Sequence, residues 1–165
     1  MANLKSLVKD TVIYGMSSIL GRFLNYLLVP LYTIKMAVAS GGYGVVTNIY
    51  AYTALLLVIL TFGMETTFFR YVNKEGENPE RVYSTTLIAV ALVGGLFVAL
   101  VLGFLTPISS ALGYASTPQY VWVMAVCVAI DAFQCIPFAY LRYKRRPYKF
   151  AVLKLLFIFL NISLN

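Results

Sequence analysis

Two side chains of opposite charge, Arg22 and Asp131, interrupt long apolar stretches of the sequence. If these stretches are helices, Arg22 lies ~18 Å beyond the last charge before its stretch. By the same measure, Asp131 lies ~16 Å before Arg142. A charge near the middle of a bilayer costs roughly 2.5 kcal/mol or more, so it pairs or lines a wet cavity. The two hypotheses are an Arg22 to Asp131 ion pair and a polar cavity that serves transport.

Three further polar residues extend this candidate substrate-binding or coupling set. Asn25 shares a predicted helix face with Arg22, and Gln134 lies one turn beyond Asp131. Lys154 is only ~8 Å along the helix from Lys149. Its amine therefore either faces a cavity or extends to the membrane surface.

The residue types needed for enzyme chemistry are missing from the sequence. There is no histidine, the central acid has no second carboxylate beside it, and no phosphate-binding glycine loop precedes a lysine. Cys127 and Cys135 are ~12 Å apart along one predicted helix, which is too far for a disulfide. We therefore expect no enzymatic activity, no metal and no cofactor. An ion gradient, the membrane potential or a coupled partner would drive any transport, with H+ or Na+ as the candidate coupling ion.

Composition identifies the elements that must position these side chains. Hydrophobic residues make up 61% of the 165 residues, charged residues 12%, and the mean hydropathy is +0.82. A water-soluble domain has about 25% charged residues. We predict an all-α polytopic membrane protein, since about 20 apolar residues cross a bilayer as a helix. The predicted spans are 11–35, 44–69, 84–105, 118–141 and 148–165. The last is cut short, which suggests a truncated fragment.

The distribution of lysine and arginine predicts the orientation. Basic residues concentrate in the N-terminus, in the loop after the second span and in the loop around residues 142–149, whereas the other two loops hold one lysine. Cytoplasmic loops retain basic residues, so the N-terminus is predicted to be cytoplasmic. The net charge of +7 then faces anionic membrane lipids, and nucleic-acid binding is not expected.

Two local patterns have specific interpretations. Small residues recur every four positions in the third span, at Ala91, Gly95, Ala99 and Gly103. Such a ridge is typical of closely packed membrane helices. Glu65 and Arg70 end the second span at its cytoplasmic side. They either fix a cytoplasmic gate through partners on neighbouring helices or simply anchor the helix at the interface.

Several motifs resemble a known family. They are the run SSILGRFLNYLLVPLYT, the Tyr43-Gly44 pair that opens the second span, and Gly63-Met64-Glu65 with Arg70-Tyr71 near its end. They resemble the N-terminal spans of polysaccharide transporters, the O-antigen and lipid-linked oligosaccharide flippases of the MATE-like exporter superfamily. The likeness extends to about Tyr83. The first loop, AVASGG, lacks the acidic residues that are usual in that family.

The resemblance implies a fold and a function. The chain would form part of the N-terminal six-helix lobe of a V-shaped transporter with 12 to 14 helices, completed by the remaining helices of that protein. It would flip an undecaprenyl pyrophosphate-linked oligosaccharide across the bacterial inner membrane by alternating access. Arg22 matches a first-span arginine that contacts the anionic pyrophosphate in related flippases.

Two alternatives remain open at this stage. A multidrug or other cation-coupled exporter of the same superfamily would have a similar fold, but a central arginine suits its substrates less well. A membrane-embedded enzyme of glycan assembly would carry catalytic residues on large external loops. The predicted external loops are short and nearly uncharged.

Overall fold

A computed structural model describes residues 42–164 and, closer to the N-terminus, residues 8, 11–16 and 19. Within these ranges the chain is helical with short connections and contains no strand. Residues 11–16 are helical, and six further helices follow them. These are α1 (Gly42–Thr61), α2 (Met64–Val72), α3 (Pro79–Gly103), α4 (Leu105–Ala111), α5 (Gln119–Tyr143) and α6 (Pro147–Leu164). The all-α prediction is confirmed for the described residues.

Three helical segments are long and apolar enough to cross a membrane: Gly44–Val72, Pro79–Gly103 and Gln119–Tyr143. They correspond to the second, third and fourth predicted spans and indicate a membrane protein. The first predicted span, 11–35, lies largely outside the described residues. Helix α6 begins one residue before the fifth predicted span, whose passage through a membrane stays a prediction, as does the transporter lobe.

The second span is divided by a break that the sequence analysis did not predict. Phe62 has φ 28° and Gly63 has φ 72°, so the chain turns through left-handed conformations between α1 and α2. Glycine adopts this region at little cost because it lacks a Cβ. The break matters because it creates a new helix N-terminus at Met64, directly before Glu65.

The third span begins earlier than the predicted residue 84. Helix α3 starts at Pro79, and the Oδ1 atom of Asn78 accepts a hydrogen bond from the backbone N–H of Glu80 at 2.9 Å. An asparagine N-cap followed by proline at the first helical position is a strong start signal. The sequence NKEGENPERVYS is therefore a loop only as far as Asn78, and Arg81 lies on the helix.

Two helix ends are closed by the same hydrogen-bond motif. After α4, the Tyr114 N–H donates to the Ser109 carbonyl and the Gly113 N–H to the Ser110 carbonyl, at 2.7 and 3.1 Å. Gly113 has φ 81°, as the C-terminal αL motif requires. Arg145, with φ 49°, occupies the equivalent position after α5. The predicted loop between the third and fourth spans thus contains a short helix with an ordered end.

One of two compact units comprises residues 46–140. Its core is a cluster of buried side chains from α1, α3 and α5: Leu60, Val90, Met124, Val128, Ala132 and Ile136. Burial of large apolar side chains within α5 is complete at Val128 and Ile136, both 0% exposed. These contacts determine which face of α5 is turned away from the core.

The other unit comprises residues 1–45 and 141–165. Of these, the structure describes residues 8, 11–16, 19, 42–45 and 141–164. Phe150 is buried at its centre and meets the Tyr14 ring edge to face, with centroids 5.0 Å apart. The Arg142 guanidinium lies 5.9 Å from the centroid of the same ring. An aromatic ring with a cation over its face gains electrostatic as well as packing energy.

The predicted small-residue ridge is displaced by one position on α3. Ala91, Gly95, Ala99 and Gly103 are all exposed, whereas Gly94 is buried. A Cβ atom placed on Gly94 would lie 3.6 Å from the Ala129 Cβ on α5, and one placed on Gly95 would meet nothing within 4 Å. Gly94 therefore makes the close helix contact, because it lies on the same face as buried Val90 and Val101.

We expect Gly94→Leu to lower the free energy of unfolding by about 2 kcal/mol, because the added side chain must push α3 away from α5. Gly95→Leu is the matched control, since it adds the same side chain to the neighbouring, open position. Thermal unfolding in detergent measures both. Equal effects of the two substitutions would contradict the assigned contact.

Candidate functional site

A polar stripe runs along one flank of α5 and consists of Cys127, Asp131 and Gln134. The three residues lie within two helical turns, at spacings of four and three that share a face. Cys127 and Asp131 are exposed and Gln134 is half-buried. The stripe is thus adjacent to the buried face of α5 but does not form part of the core.

Aromatic residues at both ends of α5 define the depth of this stripe. Tyr120 and Trp122 lie near the start of the helix and Tyr140 and Tyr143 near its end. Tyr120 and Tyr140 are ~30 Å apart along the axis, about the thickness of the hydrocarbon core. Tyrosine and tryptophan concentrate at membrane interfaces. Asp131 is ~16 Å from Tyr120 and ~14 Å from Tyr140 along the axis, so it lies at the middle of this span-capable helix.

The opposite flank of α5 is apolar. Val126, Ala129, Ile130 and Phe133 line a cavity of about 370 Å³ that α3 borders with residues including Ala91 and Gly95. The cavity contains no ionisable side chain in its lining. Helix α5 therefore presents three distinct faces: a core face, an apolar face suited to lipid or another helix, and the polar stripe.

The structure places two residues of the predicted substrate-binding or coupling set on one helix face. Asp131 and Gln134 share the polar stripe. Lys154 is half-buried on α6, in the other compact unit. Arg22 and Asn25 lie outside the described residues, so the predicted Arg22 to Asp131 pair stays a prediction. Cys127 is exposed and lies one turn from Asp131.

Glu65 and Arg70 occupy opposite ends of the short helix α2. Glu65 lies in the first turn and Arg70 in the last. A negative charge near a helix N-terminus and a positive charge near the C-terminus both stabilise the helix dipole. Glu65 is half-buried and Arg70 exposed. The break at Gly63 therefore gives both charges a local structural role, and the predicted gate stays a prediction.

An aromatic cluster joins α2 to the start of α3 and the last turns of α5. The Tyr83 and Tyr140 rings are 4.3 Å apart and tilted by 31°. Phe68 is fully buried and meets Tyr140 at 6.4 Å and Phe69 at 5.5 Å, edge to face in both cases. Edge-to-face aromatic pairs add stability beyond the area they bury. This cluster fixes the short helix α2 against the two spans beside it.

We expect Phe68→Ala to lower the free energy of unfolding by about 3 kcal/mol, because it removes a buried ring and leaves a cavity. Phe159→Ala removes the same ring from a position that is 70% exposed and should change stability by less than about 0.5 kcal/mol. Thermal unfolding of the detergent-purified protein compares the two. A stable Phe68→Ala variant would show that the cluster does not hold α2.

The other end of the unit is fixed by a hydrogen bond between distant residues. The Asn48 side-chain amide on α1 donates to the Tyr114 hydroxyl at 3.2 Å. Tyr114 is buried just after the turn at Gly113 and meets the Tyr120 ring edge to face at 6.3 Å. This contact was not predicted from the sequence, although glycine followed by tyrosine in LGYAS is a signal for a helix end with an apolar contact.

The described residues contain no group of three or more histidine, cysteine, aspartate or glutamate side chains that could hold a metal ion. No protein-family model, curated protein or solved structure that was compared with the chain matches it. The class defined by the fold is therefore a helical membrane protein with at least three helices capable of spanning the bilayer.

Proposed function

We propose that this chain belongs to a transporter that flips a lipid-linked oligosaccharide across the bacterial inner membrane for surface polysaccharide synthesis. The observation that carries the proposal is the polar stripe of α5, with an exposed carboxylate at Asp131 in the middle of a helix that can span the membrane. The resemblance of the sequence to polysaccharide transporters supplies the substrate class.

An exposed carboxylate at this depth argues for a cavity. In hydrocarbon, an aspartate at the helix centre costs roughly 2.5 to 3.5 kcal/mol. On the opposite flank, Val126 and Ile130 offer an apolar surface to lipid. Helix α5 can therefore face lipid on that flank without exposing Asp131 to lipid. The polar stripe is then best satisfied by water, by polar groups of other helices or by a substrate that passes between them. Alternating access requires such a surface at the midplane.

Arg22 is the residue that we propose to bind the pyrophosphate of the substrate. A guanidinium offers a planar fork of donors to phosphate oxygens and stays charged when partly dehydrated. Asp131 would orient Arg22 or take part in coupling to H+ or Na+, and Asn25, Gln134 and Lys154 would contribute polar contacts. Glu65 and Arg70 would lie at the cytoplasmic gate, with the N-terminus on the cytoplasmic side.

A cation-coupled multidrug exporter is the second candidate function. It is favoured by one observation, that the charged member of the polar stripe is an acid, Asp131. A carboxylate in an apolar cavity attracts a cationic substrate as well as a coupling ion. In a flippase, Arg22 should affect transport of a pyrophosphate-linked oligosaccharide. In an exporter, it should affect transport of a cationic drug.

Complementation tests the proposal in cells that lack their own oligosaccharide flippase. We expect the complete protein to restore surface polysaccharide and Arg22→Ala, expressed to the same level in the membrane, to restore at least about tenfold less, since a lost charge-assisted hydrogen bond to phosphate contributes about 1.4 kcal/mol or more. Asp131→Asn should also lose function. Glu75→Gln, in the exposed loop after α2, is the control and should function normally.

The double variant with Arg22→Ala and Asp131→Asn separates a shared role from independent ones. Losses smaller than the sum of the single effects would indicate coupled side chains. Equal rescue by the wild type and every variant would refute a substrate-handling role for these charges. Failure of the wild type, combined with increased resistance to cationic drugs, would favour the exporter.

A further inference from the structure

A second cavity, apart from the polar stripe, lies between α2 and α3 within residues 46–140. Its volume is about 270 Å³. We call it the α2–α3 cavity; its lining consists of Met64, Thr67, Tyr71, Glu77, Arg81, Val82, Thr85, Thr86 and Ala89. None of these residues belongs to the substrate-binding, coupling or gate set assigned above.

The polarity of the α2–α3 cavity changes along its length. Glu77 and Arg81 lie at the loop before α3 and in its first turns, and both are exposed. Ala89 is two helical turns further along α3, or ~12 Å from Arg81. Ala89 and Met64 are half-buried, and the Thr86 hydroxyl donates to the Val82 carbonyl at 2.7 Å. A charged rim thus leads to an apolar interior.

The rim carries one charge of each sign. In the part of the chain that the structure describes, neither the Glu77 carboxylate nor the Arg81 guanidinium has an ion-pair or hydrogen-bond partner. Tyr71, Thr67 and Thr85 line the same cavity and carry hydroxyl groups that can donate and accept hydrogen bonds. An arginine fork suits a phosphate, and a carboxylate accepts hydrogen bonds from an ammonium group.

We infer that the α2–α3 cavity binds a membrane phospholipid with a zwitterionic, primary-amine headgroup, of the phosphatidylethanolamine class. Arg81 binds the phosphate, Glu77 accepts hydrogen bonds from the ammonium, and an acyl chain extends past Val82 toward Ala89. The span-capable helices α1–α2 and α3 place the rim at the end of the membrane-crossing segments, where lipid headgroups lie. The inference does not depend on the transport proposal.

Headgroup chemistry gives the inference a specific test. A primary ammonium has three N–H donors, whereas the trimethylammonium of phosphatidylcholine has none. Phosphatidylglycerol has the phosphate but no cation for Glu77. Native mass spectrometry of the detergent-purified protein, titrated with each lipid in turn, should therefore show preferential retention of one phosphatidylethanolamine, by about tenfold over either competitor.

Substitutions assign the two contacts. Arg81→Gln should weaken retention of all three phospholipids by about tenfold. Glu77→Gln should weaken phosphatidylethanolamine alone and bring it level with phosphatidylcholine. Lys149→Gln is the control, since Lys149 is an exposed basic residue that does not line the cavity. It should leave retention unchanged.

Several outcomes would overturn the inference. Equal retention of the three lipids by the wild-type protein would refute headgroup recognition. This comparison does not depend on the stability of any variant. Loss of retention in Lys149→Gln to the same extent as in Arg81→Gln would indicate a diffuse surface effect. Retention of no lipid at all would refute a phospholipid site in the α2–α3 cavity.

Discussion

The packing of α5 against α1 and α3 is the constraint on which the other features depend. A helix rotates by a fixed angle per residue, so burial of Val128, Ala132 and Ile136 determines the direction of every other side chain on α5. The close approach of Gly94 to Ala129 fixes the helix pair further. With the core face fixed, Cys127, Asp131 and Gln134 must lie on one flank and Ile130 and Phe133 on the other.

The same packing leaves the carboxylate at the middle of α5 outside the core. The buried face contributes apolar contacts that do not depend on the polar stripe, so the charge at Asp131 does not have to be accommodated within the core. Asp131 lies at the middle of α5, between the aromatic residues near its two ends. Stability and function can therefore be separated on one helix, with the core holding the position and the stripe available for polar partners.

Apolar run length was sufficient to predict the helical class and three span-capable helices, whereas the depth of Asp131 in a bilayer stays a prediction. The sequence could not predict which face of α3 makes the close contact with α5. Gly94 and Gly95 are equivalent in a pattern of small residues, yet only Gly94 approaches Ala129. The break at Phe62 and Gly63 was missed for a similar reason. Hydropathy continues across it, and only the positive φ values distinguish it. Arg22 and Asn25 stay predictions from sequence.

Accessibility of Cys127 to water tests the central claim most directly. In sealed membranes, a cationic methanethiosulfonate reagent should label Cys127 in a Cys135→Ala background, because this thiol lies on the polar stripe one turn from Asp131. A thiol introduced by Ile130→Cys, in a background with both native cysteines changed to alanine, should stay unlabelled on the apolar flank. Labelling at Ile130→Cys with none at Cys127, when both react after denaturation, would contradict a water-accessible cavity along the polar stripe.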